Sequence, residues 1–485
     1  MPSVQEFQLH PLGWETDPEE ERFKLSTLDY LTTTTWTSMA LFFKVEDSER
    51  RKIMSVLKNG LERTLSQTRH LVGTIEKDPD GHHSIVRKKT STVQFVVQNL
   101  APNEFPSFDT ISKSHFLSSA LGNVDILCNP PMTCGNKPEA HPDNSPALSS
   151  FKANFITGGL IFNIHTHHYS NGILSFNALV QQLAENCYAI SKGSEFPSWD
   201  PRCLDRNLFG YLGFDRPSNK TLQIEAPPRA TDNTQYKPSQ SMLFHLPKSR
   251  AAELKKAAAS SGAWISTYNA MCALVWRTLT KLRMSIYKPD PNFKPLWAEG
   301  VSIAKLFTDP PMPARMQSNL QIDITSTMLD MPQWTVSEIV SAPLYKLALY
   351  TRQMTDSVTA GMLADRLQKL AHVRNKWDLS INVDSFPPMS QLFTDWRYAK
   401  ICTYDFGFAE PSAFRHLFGG VSRQALVYPP HKGPAGGDEG MEILVTVEIE
   451  LMQRLLEDPE WNRYFEFRGI DASEEASFTG QRAKL

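Results

Sequence analysis

Strand-like and helix-like segments alternate along both halves of this 485-residue chain, which predicts an α/β or α+β fold with a large sheet in each half. Three observations carry the prediction. β-Branched and aromatic runs of strand length recur in both halves. Segments with apolar residues at helical spacing lie between them. A polar, Pro-rich stretch over 191–240 separates the two sets, so the expected units are 1–195 and 241–485, with an interdomain crossover over 196–240.

The elements follow in order. Residues 25–43 open the fold, and the β-branched and aromatic run from Thr32 to Phe43 suits a strand. Ile53, Val56, Leu57, Leu61 and Leu65 mark an amphipathic helix over 48–68. The dipeptide Asp80-Gly81 predicts a hairpin within 78–87. A Pro- and Asn-rich loop spans 128–147. One apolar strand is expected over 151–167, then a helix over 176–190. The second half opens with a strand over 241–247, a helix ending at Gly262, and a helix capped by Ser266. The loop 308–319 leads into a strand over 320–327, and helical segments are expected around 335–355 and 357–376. Residues 378–386, 398–409 and 442–450 read as strands.

Lys and Arg total 50 against 52 Asp and Glu, so the net charge of −2 argues against the basic stripe of a nucleic-acid binder. No window approaches ~18 consecutive apolar residues, so neither a transmembrane helix nor a membrane partner is expected. The first residues lack a basic head followed by an apolar run, so no secretory leader is expected. The six cysteines form no C-x-x-C, and Cys128 and Cys134 have no His or Cys cluster beside them, so they read as reduced packing thiols and not as a zinc site. The terminal Ala483-Lys484-Leu485 is of the small–basic–Leu kind, which predicts a peroxisomal location and an import receptor as partner.

The chemistry points to His165-Thr166-His167-His168-Tyr169-Ser170-Asn171-Gly172, where an apolar strand stops before a helix. On a strand, His165 and His167 share one face and His168 takes the other. An imidazole on a rigid strand end suits general-base work near neutral pH. Two other readings stand beside it: a two-His metal site, for which no third ligand is in view, and a solvated polar loop. No G-x-S-x-G elbow is present, so a serine nucleophile is not indicated.

Five segments, in order, resemble one family. These are LSTLD (25–29), ANFITGGLIFNIHTHHYSNG (153–172), STYNAMCALVWRTLTKLR (266–283), PPMPARMQSN (310–319) and TYDFGFAEPSAFR (403–415). Over nearly its whole length the chain resembles the BAHD superfamily of CoA-dependent acyltransferases, within it the fungal trichothecene 3-O-acetyltransferase-like branch. The resemblance implies two similar domains of the chloramphenicol acetyltransferase kind, each a mixed sheet flanked by helices, with a channel between them. It implies acyl transfer from acyl-CoA, acetyl-CoA first, to a hydroxyl or amine of a small secondary metabolite in a ternary complex. Acyl-CoA is then a co-substrate, no cofactor is bound permanently, no metal is required, and the chain is a monomer. His167 takes the place of the family's general base, in the first unit. Asn171 and Gly172 take the supporting-loop places, with Asn171 where the family has an Asp that pairs with an Arg. The segment matching that Arg, over 301–307, lacks both charged residues, so neutral hydrogen bonds are expected to hold the loop. Asp405, Phe406 and Gly407 take the places of a structural signature, with Phe408 for Trp and Ala409 for Gly. Thr394, Trp396 and Asn319 are pocket candidates, each equally well read as core or turn. Asn171 and the altered 301–307 segment also motivate an alternative: a repurposed fold acting as a CoA-independent cyclase, isomerase or dehydratase, with a silent binding protein behind it.

Overall fold

A computed structural model describes residues 4–133, 137–207, 224–226, 235–260, 263–328, 331–417, 423–431 and 437–473. Among the described residues the strands form two large sheets, of six and seven strands, and a small one of three. The first runs in the order Val4–Leu9, Val93–Asn99, Ser149–Ile156, Gly159–His167, Trp36–Lys44, Ala413–His416. The second runs Gln321–Thr325, Trp297–Ser302, Gln391–Asp395, Gln424–Val427, Met441–Glu448, Ser239–Leu246, Glu466–Ser473. Both mix parallel and antiparallel neighbours.

Helices Arg50–Gln67 and Ile173–Lys192 bury Leu57, Leu61, Leu179 and Leu183 in one core with Leu41 and Phe162 of the first sheet. Helices Thr267–Tyr287 and Leu344–Asp356 do the same for the second, through Trp276, Leu279, Leu347 and Met354. Ser266 caps its helix as expected, in a reciprocal box with Asn269. The second sheet alternates. Phe244, Ala425 and Ile443 point to its own helices, whereas Leu243, Leu426 and Leu444 join the core of the first half. That second face is where the two halves meet.

Several expectations are corrected. The single strand over 151–167 is a hairpin, turning at Gly158 with φ 70°, and all its strand residues are buried. Two fully buried strands joined by a two-residue turn read as one apolar run, because neither shows alternation. The opening strand begins at Trp36, and Thr27–Tyr30 is a helical turn whose cap, Ser26, bonds Asp29. Residues 378–386 and 398–409 form 3₁₀ turns at Lys376–Leu379, Val383–Ser385 and Ile401–Thr403 rather than strands. Pro343 divides the helix expected over 335–355 into Val336–Ser341 and Leu344–Asp356. The strands Val4–Leu9, Val93–Asn99, Trp297–Ser302 and Glu466–Ser473 have no counterpart in the sequence reading. Sheet membership also departs from the division at 1–195 and 241–485: Ala413–His416 pairs antiparallel with Trp36–Lys44 and completes the first sheet. Cys134, Gly262 and Ala483-Lys484-Leu485 lie outside the described residues.

Candidate active site

His167 is the last residue of its strand and pairs with Trp36 across the sheet. Its side chain is fully buried, with the Trp36 ring set edge-on at 5.9 Å between centroids. Nδ1 accepts the backbone N–H of Tyr169 at 3.1 Å. Nε2 lies 2.8 Å from the carbonyl of Ala140, an acceptor only, so Nε2 carries the proton and donates it there. Burial pushes the imidazole down to about 4, with the Ala140 bond opposing that shift and His168 adding to it. The ring is therefore neutral at ordinary pH, and both of its nitrogens are engaged. His165, on the same face, is pushed by burial to about 3. The burial of residues 165–167 and 169–171 excludes the solvated-loop reading. Among the described residues no cluster of three or more His, Cys, Asp or Glu could hold a metal.

After His167 the chain turns tightly, with Ser170 N–H and Oγ both donating to the His167 carbonyl, at 2.8 and 2.6 Å. Gly172 then caps helix Ile173–Lys192 in extended backbone. A Cβ at Gly172 would lie 3.2 Å from Asn319 Oδ1 and 3.5 Å from Gln321 Oε1, so the glycine admits a strap from the second half. Asn171 is buried and donates Nδ2 to Gln317 Oε1 at 3.0 Å, a neutral amide pair on that strap. Asn319 donates Nδ2 to the His168 carbonyl and to Asp29 Oδ1, each at 3.0 Å. The structure thus brings His167, Asn171, Gly172 and Asn319 together.

Thr394 pairs with Leu426 and so belongs to the sheet face turned toward the first half. Gly300 and Asp323 share that face by register, and Asp323 is raised by burial to about 6. Trp396 packs among Phe414, His416 and Tyr428 in the core. Asp405, Phe406 and Gly407 lie elsewhere. Asp405 accepts the Gly407 N–H at 2.7 Å, Ser191 donates to the Gly407 carbonyl at 2.9 Å, and Phe406 is buried against Phe43. Ser191 is near the end of the 20-residue helix that starts beside Asn171, which sets this segment about 30 Å from the His167 loop. An open cavity of about 420 Å³ beside Glu185, Tyr188 and Asp405 lies at that far end as well. Ala409 is absent from the positive-φ residues, so Ala is tolerated in place of Gly. Two residues near His167 were given no site role by sequence reasoning: Asp29, which stands in the LSTLD segment, and Arg206, which had no signal because it lies in the polar crossover.

A family model described as the Transferase family matches residues 15–462. The chain belongs to this family, of BAHD type. It is 47% identical to an acetyltransferase, FGR3, of Gibberella zeae, over 97% of this chain and 95% of that one. It is 24% identical to the trichothecene 3-O-acetyltransferase TRI101 of Fusarium sporotrichioides, over 90% and 94% of the two chains. Its fold matches the crystal structure of F. graminearum TRI101 complexed with coenzyme A and T-2 mycotoxin, with a TM-score of 0.75 at 20% identity, covering 93% of this chain and 100% of that one. The family accounts for the mixed α/β architecture, and membership makes the chain an acyltransferase.

Proposed function

We propose that this acyltransferase moves an acyl group, acetyl first, from acyl-CoA to a hydroxyl or amine of a small secondary metabolite, with His167 as general base in a ternary complex. The observation that carries the reading is the neutral, buried imidazole of His167 at a rigid strand end, its loop strapped by the second half of the chain. The kinship with a named acetyltransferase and the fold shared with a CoA-bound one support the donor class. In the reaction the imidazole takes the acceptor's proton as its oxygen or nitrogen attacks the thioester carbonyl. The tetrahedral intermediate then collapses, and CoA leaves as the thiol with that proton. In the arrangement described, Nε2 is protonated and held by Ala140. The base acts once the turns over 138–144 release the ring and its proton passes from Nε2 to Nδ1, so that Nε2 is free to take the proton of an acceptor seated in place of that carbonyl.

The test is titration of the purified chain with CoA, acetyl-CoA and a longer acyl-CoA, followed by an acceptor panel with CoA thiol release as readout. A ligand at ~100 times its Kd stabilises the fold by about 2.7 kcal/mol, a measurable thermal shift. His167→Ala is expected to lower turnover by about 10²–10⁴-fold with acetyl-CoA binding retained. Turnover of an acceptor without any CoA ester would instead favour the cyclase, isomerase or dehydratase reading.

A further inference from the structure

The loop after His167 presents three successive carbonyls, and one buried charged group organises the partners of all three. Arg206 is 3% exposed and Asp29 fully buried, and they meet with Nη1 2.8 Å from Oδ2. The same guanidinium donates to the Tyr169 carbonyl at 3.3 Å and to the Ser170 carbonyl at 2.6 Å. The other oxygen of Asp29 accepts from Asn319 Nδ2 at 3.0 Å, from Asn319 N–H at 3.2 Å and from Ser318 Oγ at 3.3 Å. Asn319 Nδ2 also donates to the His168 carbonyl, on the peptide whose N–H, from Tyr169, orients the His167 ring. Asp29 therefore ties two donors, one from the crossover and one from the second half, to three consecutive peptide planes.

A buried ion pair is a poor source of net stability, because desolvating both charges offsets their attraction. A planar guanidinium with acceptors on several edges is instead a device for fixing geometry. We propose that Arg206 is a positioning residue for His167, with Asp29 as its anchor: together they hold the peptides that set the imidazole's orientation. The proposal rests on the reading of His167 as the base. It supplies a charge-based restraint on a loop whose own Asn171 carries no charge.

The experiment is amide hydrogen exchange of the full chain, with kinetics in parallel, for Arg206→Ala, Arg206→Lys and Asp29→Asn. Exchange at the amides of 169–171 is expected to rise about tenfold or more in Arg206→Ala and Asp29→Asn, as loss of a charged hydrogen bond implies, with the remote strands unchanged. Lys, which makes one of the two carbonyl bonds, restores part of the protection. Turnover from acetyl-CoA falls about 10²-fold through kcat, with the KM for acetyl-CoA unchanged, as misplacement of a base predicts. Unchanged exchange at 169–171 would overturn the proposal, as would an equal rise across the whole chain. Should Arg206→Ala fail to fold, Arg206→Lys and Asp29→Asn decide by the same criteria. If His167→Ala keeps full turnover, the base reading fails, while the exchange data still decide whether Arg206 orders the loop.

Discussion

His165, His167 and His416 are imidazoles the fold keeps uncharged, pushed by burial to about 3, 4 and 3. In the unfolded chain they titrate near 6.5, at about that ordinary value. Unfolding therefore takes up protons below pH ~6.5, and each imidazole removes about 1.4 kcal/mol of stability per pH unit as pH falls toward its folded value. Glu299 and Asp323 act the other way, because burial raises them to about 7 and 6 and unfolding then releases their protons. Three imidazoles outweigh two carboxyls, so the urea midpoint is expected to be lower at pH 5 than at pH 7. His416→Gln should flatten that dependence, and a higher midpoint at pH 5 would contradict the assignment. At this scale the sequence made His167, Asn171 and Gly172 legible, because they are contiguous and follow an apolar strand. Arg206 was illegible, because a lone arginine in a polar crossover looks like any solvated charge until the fold buries it.

Helix Ile173–Lys192 links the two segments that the family resemblance singled out, with the His167 loop at its start and Gly407 against Ser191 near its end. Gly407 sits at φ 82°, and a Cβ there would fall 2.6 Å from Ser191 Cβ and 2.9 Å from Tyr188 Cα. Gly407→Ala is expected to cost about 1–2 kcal/mol for the left-handed backbone alone, before the clash is added. Thermal unfolding should record the loss, and the KM for acyl-CoA should stay unchanged. The turns over 138–144 make the opposite case, an element whose release matters more than its stability. They hold the Ala140 carbonyl on His167 and are pinned by Asp143, 2.9 Å from His83 Nε2 and 3.4 Å from Lys77. Asp143→Asn should loosen them and admit water to the ring. Relief of burial, the larger cause of the depression, then outweighs loss of the Ala140 bond and raises the His167 pKa from about 4 toward its ordinary value, measurable by NMR titration of the imidazole. The turns over 398–409 misled the strand reading because their apolar residues, Ile401, Cys402 and Phe406, are buried by contacts with the first half rather than by a ladder.

The whole molecule is stitched across its midpoint. Ala413–His416 closes the edge of the first sheet at Trp36–Lys44, and Leu243, Leu426 and Leu444 complete the first half's core. Residues 1–240 expressed alone would expose that strand edge and the apolar face, so they are expected to aggregate. Co-expression with 241–485 should restore a soluble pair, and a stable isolated 1–240 would refute the stitching. By itself the sequence determined the class of fold, the chain's kinship and the stretch that bears His167, because periodicity, caps and contiguous motifs are local signals. Only the tertiary structure decided that the second half strengthens the first sheet. It also decided that Asp29 and Arg206 clamp the His167 loop, and that the His167 ring is neutral and engaged at both nitrogens. Those facts depend on groups distant in sequence being buried side by side, and burial turns an ordinary charge or imidazole into one whose every partner counts.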